Sequence, residues 1–236
     1  MSETSPTIIV TGAAGNVGRA VLAKLASNGD RIIAIDRQAA DIVALLAPFG
    51  GEDRHLVLAG LDLLDPIQCD KIVQLTLSRY GRIDGVAHTV GGFATASAQA
   101  GGADLWQQMY DLNVMTTLNI FRAVLAPMRA VSRGSLVAVG AGAAIKAASG
   151  LGAYAAAKSG VHRMVESFAD ELKADGIRVN AILPSIIDTP QNRAAMPQAD
   201  HAAWVLPREI ADAISFLLAD SASGITGAFI PVTGRV

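Results

Sequence analysis

Tyr154 and Lys158 stand four residues apart in GLGAYAAAKSGV. On a helix that spacing puts both side chains on one face. A buried ammonium beside a phenol stabilises the phenolate and lowers the phenol's pKa. A tyrosine so placed exchanges a proton with an alcohol, ketone or imine near neutral pH. Spacing alone equally describes a core tyrosine beside a solvated lysine, because Y-x-x-x-K recurs by chance.

A second group of residues suits a nucleotide. TGAAGNVG, Thr11 to Gly18, follows an apolar β-branched run and opens a helical pattern. Gly12 permits a tight turn, Gly15 lets the backbone approach a pyrophosphate, and Gly18 lets the helix close on the strand. Ala14, Asn16 and Val17 complete the turn, and the N–H groups of the helix start point at the phosphates. Asp36 ends the second strand eighteen residues past Gly18. There a carboxylate accepts from both ribose hydroxyls of NAD and repels a 2′-phosphate. Arg37 beside it keeps NADP(H) possible, but the carboxylate makes NAD(H) the preferred cofactor. Asp62 follows the third strand and can accept from the adenine amino group. The alternative for Asp62, capping the next helix, is better filled by Asp65.

These residues need strands to carry them and helices to connect the strands. The patterns predict strands at Thr7–Thr11, Arg31–Asp36, His55–Ala59, Ile83–His88, Ser135–Val139, Ile177–Ile182 and Ala228–Val232. Helices are predicted at Asn16–Ser27, Asp41–Ala47, Pro66–Tyr80, Asp104–Met128, Ala153–Ala174 and Arg208–Ala219. Repeated βα units of this length build an α/β fold. The expectation is a single Rossmann domain over residues 1–236: a doubly wound parallel sheet of about seven strands with helices on both faces. The segments Gly91–Gly102 and Pro184–Ala203 follow strands, so both belong at the carboxyl edge, where such folds bind ligands.

TGAAGNVG, Asp36, Asp62, DLNV around Asn113, YAAAK and LPSIIDTP occur in one order. The chain resembles the short-chain dehydrogenases/reductases over nearly its whole length. The resemblance implies that Tyr154 is the general acid/base, and that Lys158 binds the nicotinamide ribose and lowers the tyrosine's pKa. It implies that Asn113 holds a helix kink and a water relaying protons to the lysine. Thr189 matches the threonine that contacts the nicotinamide carboxamide, with Ile187 beside it and Pro184 before it. Leu63 and Gly91 join the implied cofactor set. The resemblance also implies a homodimer or homotetramer built on the two long helices, although the small residues Ala153–Ala157 would look the same if packed within one chain.

The chain departs from the family pattern at several points. Ala141 stands thirteen residues before Tyr154, where the family carries a serine that bonds the substrate oxygen. His88-Thr89-Val90-Gly91 replaces N-N-A-G, Ser185 replaces the glycine after the proline, and Asn16 takes a usual glycine place. The quinonoid dihydropteridine reductases resemble the chain more closely here. They share the alanine, a lysine in the small-residue segment, a glycine pair like Gly91-Gly92, and a region like Leu183 to Trp204; Asn113 fits the wider family better. Losing one oxyanion donor costs on the order of 10²–10³ in rate when nothing replaces it. Three answers stay open: an activated substrate such as a quinonoid imine, another donor such as water, Ser149 or His88, or a protein that binds a dinucleotide and catalyses little.

Ala141, Phe93, Met196 and Trp204 are the candidate substrate contacts. Met196 and Trp204 read either as a closing lid or as packing. His88 reads either as a second proton donor or as a packed, hydrogen-bonded histidine.

Bulk composition narrows the remaining classes. The chain has 236 residues, 51% hydrophobic and 17% charged, with net charge −2. That suits one α/β domain with a sizeable core, and offers no basic footprint for nucleic acid. Cys69 is the lone cysteine and the four histidines share no ligand spacing, so neither a disulfide nor a metal site is expected. MSETSPTIIV does not read as a signal peptide and no apolar stretch is long enough to span a membrane, so the expectation is a cytoplasmic protein. The reading as a whole is an NAD(H)-dependent oxidoreductase acting on a small carbonyl, alcohol or imine. The alternatives are a dihydropteridine reductase proper, or a dinucleotide-binding regulatory protein.

Overall fold

The computed structural model describes residues 5–38 and 40–236; the first four residues, read above for a leader, lie outside them. Seven strands form one parallel sheet: β1 (Thr7–Thr11), β2 (Arg31–Asp36), β3 (Leu56–Ala59), β4 (Gly85–His88), β5 (Gly134–Val139), β6 (Ile177–Pro184) and β7 (Phe229–Val232). Their order across the sheet is β3-β2-β1-β4-β5-β6-β7, and every pair is parallel. The order reverses between β1 and β4, which opens a crevice at their carboxyl ends.

The connecting helices are α1 (Asn16–Ser27), α2 (Ala40–Leu46), α3 (Gly51–Arg54), α4 (Pro66–Tyr80), α5 (Ala103–Tyr110), α6 (Thr116–Ala130), α7 (Gly152–Leu172), α8 (Pro190–Ala195) and α9 (Pro207–Leu218). Alternation along each strand sorts the apolar residues into two cores. Ile9, Ile33, Ile35, Val86, Leu136 and Ala138 point to the face covered by α4, α5, α6 and α7. Ile8, Val10, Ile32, Ala34, Ala87 and Val137 point to the face covered by α1, α2 and α9. Asp65 caps α4, its carboxylate accepting from the Ile67 N–H at 2.9 Å, as the sequence predicts.

The observed elements differ from the expected ones chiefly at their ends. His55 lies outside β3 as the cap of α3: its Nδ1 accepts from the Ile32 N–H and its Nε2 bonds the Phe49 carbonyl. Strand β4 starts two residues later than expected. The predicted helix Asp104–Met128 is two helices, α5 and α6, joined through a π-helical turn at Asp111–Met115. Thr116 and Thr117 each bond back to a carbonyl four residues earlier in this turn, those of Leu112 and Asn113. Strand β7 is an edge strand with Pro231 inside it.

The turn between β1 and α1 leaves no room for a side chain at Gly12 or Gly18. Gly12 has φ +69°, and a Cβ there would lie 2.9 Å from the Thr89 hydroxyl. A Cβ on Gly18 would overlap the Gly12 carbonyl itself. Gly18→Ala must therefore push α1 off the sheet, and we expect a loss of about 3 kcal/mol of stability. Urea unfolding followed by circular dichroism checks this; a loss below about 0.5 kcal/mol, the range of ordinary surface changes, contradicts it.

Candidate active site

The crevice is a cleft of about 870 Å³ at the carboxyl edge. Of the residues expected to hold a cofactor, Gly12, Ala14, Gly15, Asp36, Arg37, Asp62, Leu63 and Gly91 line it. Gly15 begins α1 with no side-chain cap, and the first turn of the helix carries no acid. Its unpaired N–H groups suit an anion. Gly18 and Val17 pack α1 down instead of lining the cleft.

Asp36 is held in place by backbone. Its Oδ2 accepts from the Ala14 N–H at 2.9 Å and its Oδ1 from the Gln38 N–H at 3.2 Å. Each oxygen keeps a lone pair for a further donor. Asp62 is exposed, and its Oδ1 accepts from the Leu64 N–H. Asn119, which the sequence reading missed, pins this wall from α6: its buried Nδ2 donates to the Leu63 and Leu64 carbonyls at 2.9 and 3.1 Å. A polar residue inside an apolar helix stripe was the available signal. Thr89, Val90, Gln38, Leu112 and Thr116 also line the cleft and were not singled out as cofactor contacts.

Gly91 faces the Asn113 amide and the Lys158 ammonium, so a side chain there would displace one of them. A Cβ there would lie 2.8 Å from Asn113 Oδ1 and 3.2 Å from Lys158 Nζ. The Asn113 amide grips the next residue at two points: Oδ1 accepts from the Gly92 N–H at 3.3 Å, and Nδ2 donates to the Gly92 carbonyl at 3.1 Å. Nδ2 also donates to the Met109 carbonyl at 2.8 Å, across the π-turn. A dinucleotide's shape and charge fit this set: an uncapped helix start, a fixed carboxylate, and a bare glycine beside an ammonium.

Tyr154 and Lys158 lie one turn apart on α7. Lys158 is buried, and its Nζ donates to the Val139 carbonyl at 2.7 Å. Burial pulls its pKa down to about 8. Tyr154 is half-buried with its ring edge-on to Phe93, centroids 5.0 Å apart. Burial pushes its pKa up to about 12. This corrects the expectation that the lysine holds the phenol below its ordinary value. Desolvation by burial is its cause, and the ammonium is directed at a carbonyl.

Ala141 is buried where the family pattern has a serine, and its N–H approaches His162 Nε2 at 3.5 Å. Ser149 sits on the exposed loop before α7. His88 is 1% exposed and bonded at both nitrogens, to Thr11 Oγ1 at 2.8 Å and Thr116 Oγ1 at 3.4 Å. Thr116 spends its proton on the Leu112 carbonyl, so it must accept from His88 Nε2–H. Burial keeps the ring neutral, so Nδ1 is the acceptor. His88 is thus the packed histidine of the two readings and not a donor to substrate.

The far side of the site is built from the segment after β6. Pro184 is buried at the strand end, Ile187 bridges to Val205, and Thr189 Oγ1 accepts from the Asn192 N–H to cap α8. These three do not line the cleft. Trp204 is 5% exposed and packs on the His201 ring at 4.4 Å, so it anchors the segment; Met196 is half-buried and Phe93 is 65% exposed. Among the described residues no cluster could hold a metal ion, and no helix is long and apolar enough to cross a membrane.

The short chain dehydrogenase family model matches residues 6–200, and the chain belongs to the short-chain dehydrogenase/reductase family. It is an oxidoreductase of that type, a family that works with nicotinamide cofactors. The 3-oxoacyl-[acyl-carrier-protein] reductase of Thermotoga maritima is 29% identical over 234 residues, 96% of this chain and 95% of that protein. A solved oxidoreductase of the same family from Burkholderia thailandensis is 32% identical with TM-score 0.86, covering 98% of this chain and 92% of that one. ElxO, solved with NADP bound, shares the fold at TM-score 0.90 and 20% identity, covering 98% of each chain.

Burial holds His88 down at about 3, so between about 6.5 and 3 the unfolded chain takes a proton that the folded one refuses. Its contribution to stability is therefore present above about 6.5 and shrinks as pH falls. His162, lowered to about 4, acts in the same sense, while Asp30, raised to about 6, acts in the opposite one. We expect urea midpoints to fall less between pH 7 and pH 5 in His88→Gln than in wild type. Equal falls contradict the buried neutral imidazole.

Proposed function

We propose that the chain is an NAD(H)-dependent oxidoreductase that moves a hydride between nicotinamide and the carbon of a ketone, alcohol or imine, with Tyr154 as general acid/base. The observation that carries this is the Tyr154–Lys158 pair on α7, with Lys158 Nζ held by the Val139 carbonyl beside bare Gly91. A bound reduced nicotinamide supplies the hydride and its two electrons. The protein supplies the proton and the geometry. Tyr154 is protonated across the neutral range, so in the reductive direction it enters in the form needed. Its hydroxyl gives a proton to the substrate oxygen or nitrogen as charge develops there. Lys158 offsets the phenolate left behind. Asn113 holds the Gly91–Gly92 backbone against the ammonium, and a water in this corner would carry protons back to Lys158.

Asp36 supports NAD(H), since a fixed carboxylate accepts from ribose hydroxyls and repels a 2′-phosphate. Arg37 in the same cleft, and ElxO with its NADP, make NADPH the comparison to run. Buried Ala141 favours a second reading: an activated substrate such as a quinonoid dihydropterin needs only a proton from Tyr154.

Substrate-dependent oxidation of NADH and NADPH should be followed with ketones, diketones and chemically generated quinonoid dihydropterin. We expect turnover with NADH that drops by about 10²–10⁴ in Tyr154→Phe while NADH binding persists. Binding without any turnover would favour the regulatory alternative. Lys158 loses its ammonium as pH rises through about 8. Reductive kcat/KM should therefore hold below that pH and fall above it; a profile that rises through pH 8 contradicts the assignment.

A further inference from the structure

Asn16 opens α1 directly after β1, and Gln191 lies in the first turn of α8, after β6. In the sheet these strands are separated by β4 and β5, three spacings or roughly 14 Å. Yet Asn16 Nδ2 donates to Gln191 Oε1 at 3.0 Å. The contact passes over the carboxyl ends of β4 and β5, where Gly91, Ala141 and the Val139 carbonyl that holds Lys158 are found. Asp36, which ends β2, and Asp62, which follows β3, lie on the other side of β1 from this span. A dinucleotide reaching from Asp36 towards Tyr154 would run past this exposed bond at the rim of the cleft.

The two ends of the contact are held firmly. Asn16 stands on the glycine turn, and Gln191 rides on a short helix braced by Thr189, by Asn192 Nδ2 donating to the Ile187 carbonyl at 2.8 Å, and by the Arg193–Asp188 ion pair. Among the described residues no other hydrogen bond joins α8 to that turn. A glycine in place of Asn16 would have no side chain to make it.

We propose that the Asn16–Gln191 bond is a latch across the cofactor cleft, and that Gln191 is a positioning residue which slows dinucleotide release. This rests on the dinucleotide-binding part of the reading above. The test is stopped-flow release of NADH chased with excess NAD⁺, in wild type, Gln191→Ala, Asn16→Ala and the double variant. The latch predicts release faster by roughly three- to tenfold in Gln191→Ala, the loss of one hydrogen bond. The double variant should be no faster than the faster single one, because both remove the same contact. Wild-type release from Gln191→Ala, or effects that multiply in the double variant, overturn it. Faster release in a protein that binds NADH but turns over no carbonyl supports the latch and sinks only the catalytic reading. A wild type that binds neither NADH nor NADPH overturns both.

Discussion

The two-point grip of the Asn113 amide on the Gly92 backbone is the contact around which the active corner is arranged. It depends on the π-turn, which lets one side chain reach the Met109 carbonyl of its own helix and the loop after β4 together. Through Gly91 the grip fixes the approach of the wall to Lys158. Through Thr116 the same turn is tied by His88 to Thr11 on β1. Sheet, loop and helix are thus joined by one side-chain amide and one imidazole ring within one small region. Local departures from α-helical geometry of this kind recur at functional sites.

Electrostatics follow from that arrangement. Three ionisable groups, His88, Tyr154 and Lys158, sit in a region dry enough that each is driven towards its neutral form. The imidazole is neutral because burial, and the nearby Lys158 charge, keep a second proton off it. The ammonium survives near neutral pH because a backbone carbonyl accepts its proton. A phenol in so dry a place is a weak acid at rest.

Much of this was legible from residue types. Alternating β-branched runs gave the strands, and the glycine spacing with Asp36 located the cleft, because backbone approach and carboxylate placement leave direct traces in sequence. Asp65 before Pro66 was readable as a cap for the same reason. The π-turn was not legible in the local pattern, since DLNVM reads as ordinary helix; only the family resemblance pointed to a kink at Asn113. The paired threonines after it, both bonding back to the turn, were the trace it left. The direction of the Tyr154 shift was hidden because burial belongs to the assembled fold, whereas Y-x-x-x-K reports only that the charge is near. Asn119 and His88 find their partners across 55 residues and more than 70 in sequence, distances at which no local pattern speaks.

Pro231 in the edge strand has a consequence beyond the site. Ala228 and Val232 turn their carbonyls towards β6, accepting from Ala181 and Ser185. By alternation Pro231 faces the open edge, where its missing N–H breaks the row of donors another strand would need. The sheet cannot easily be continued from this side by a strand of another molecule, in register or out of it. A single imino acid thus blunts this edge against strand addition from another copy.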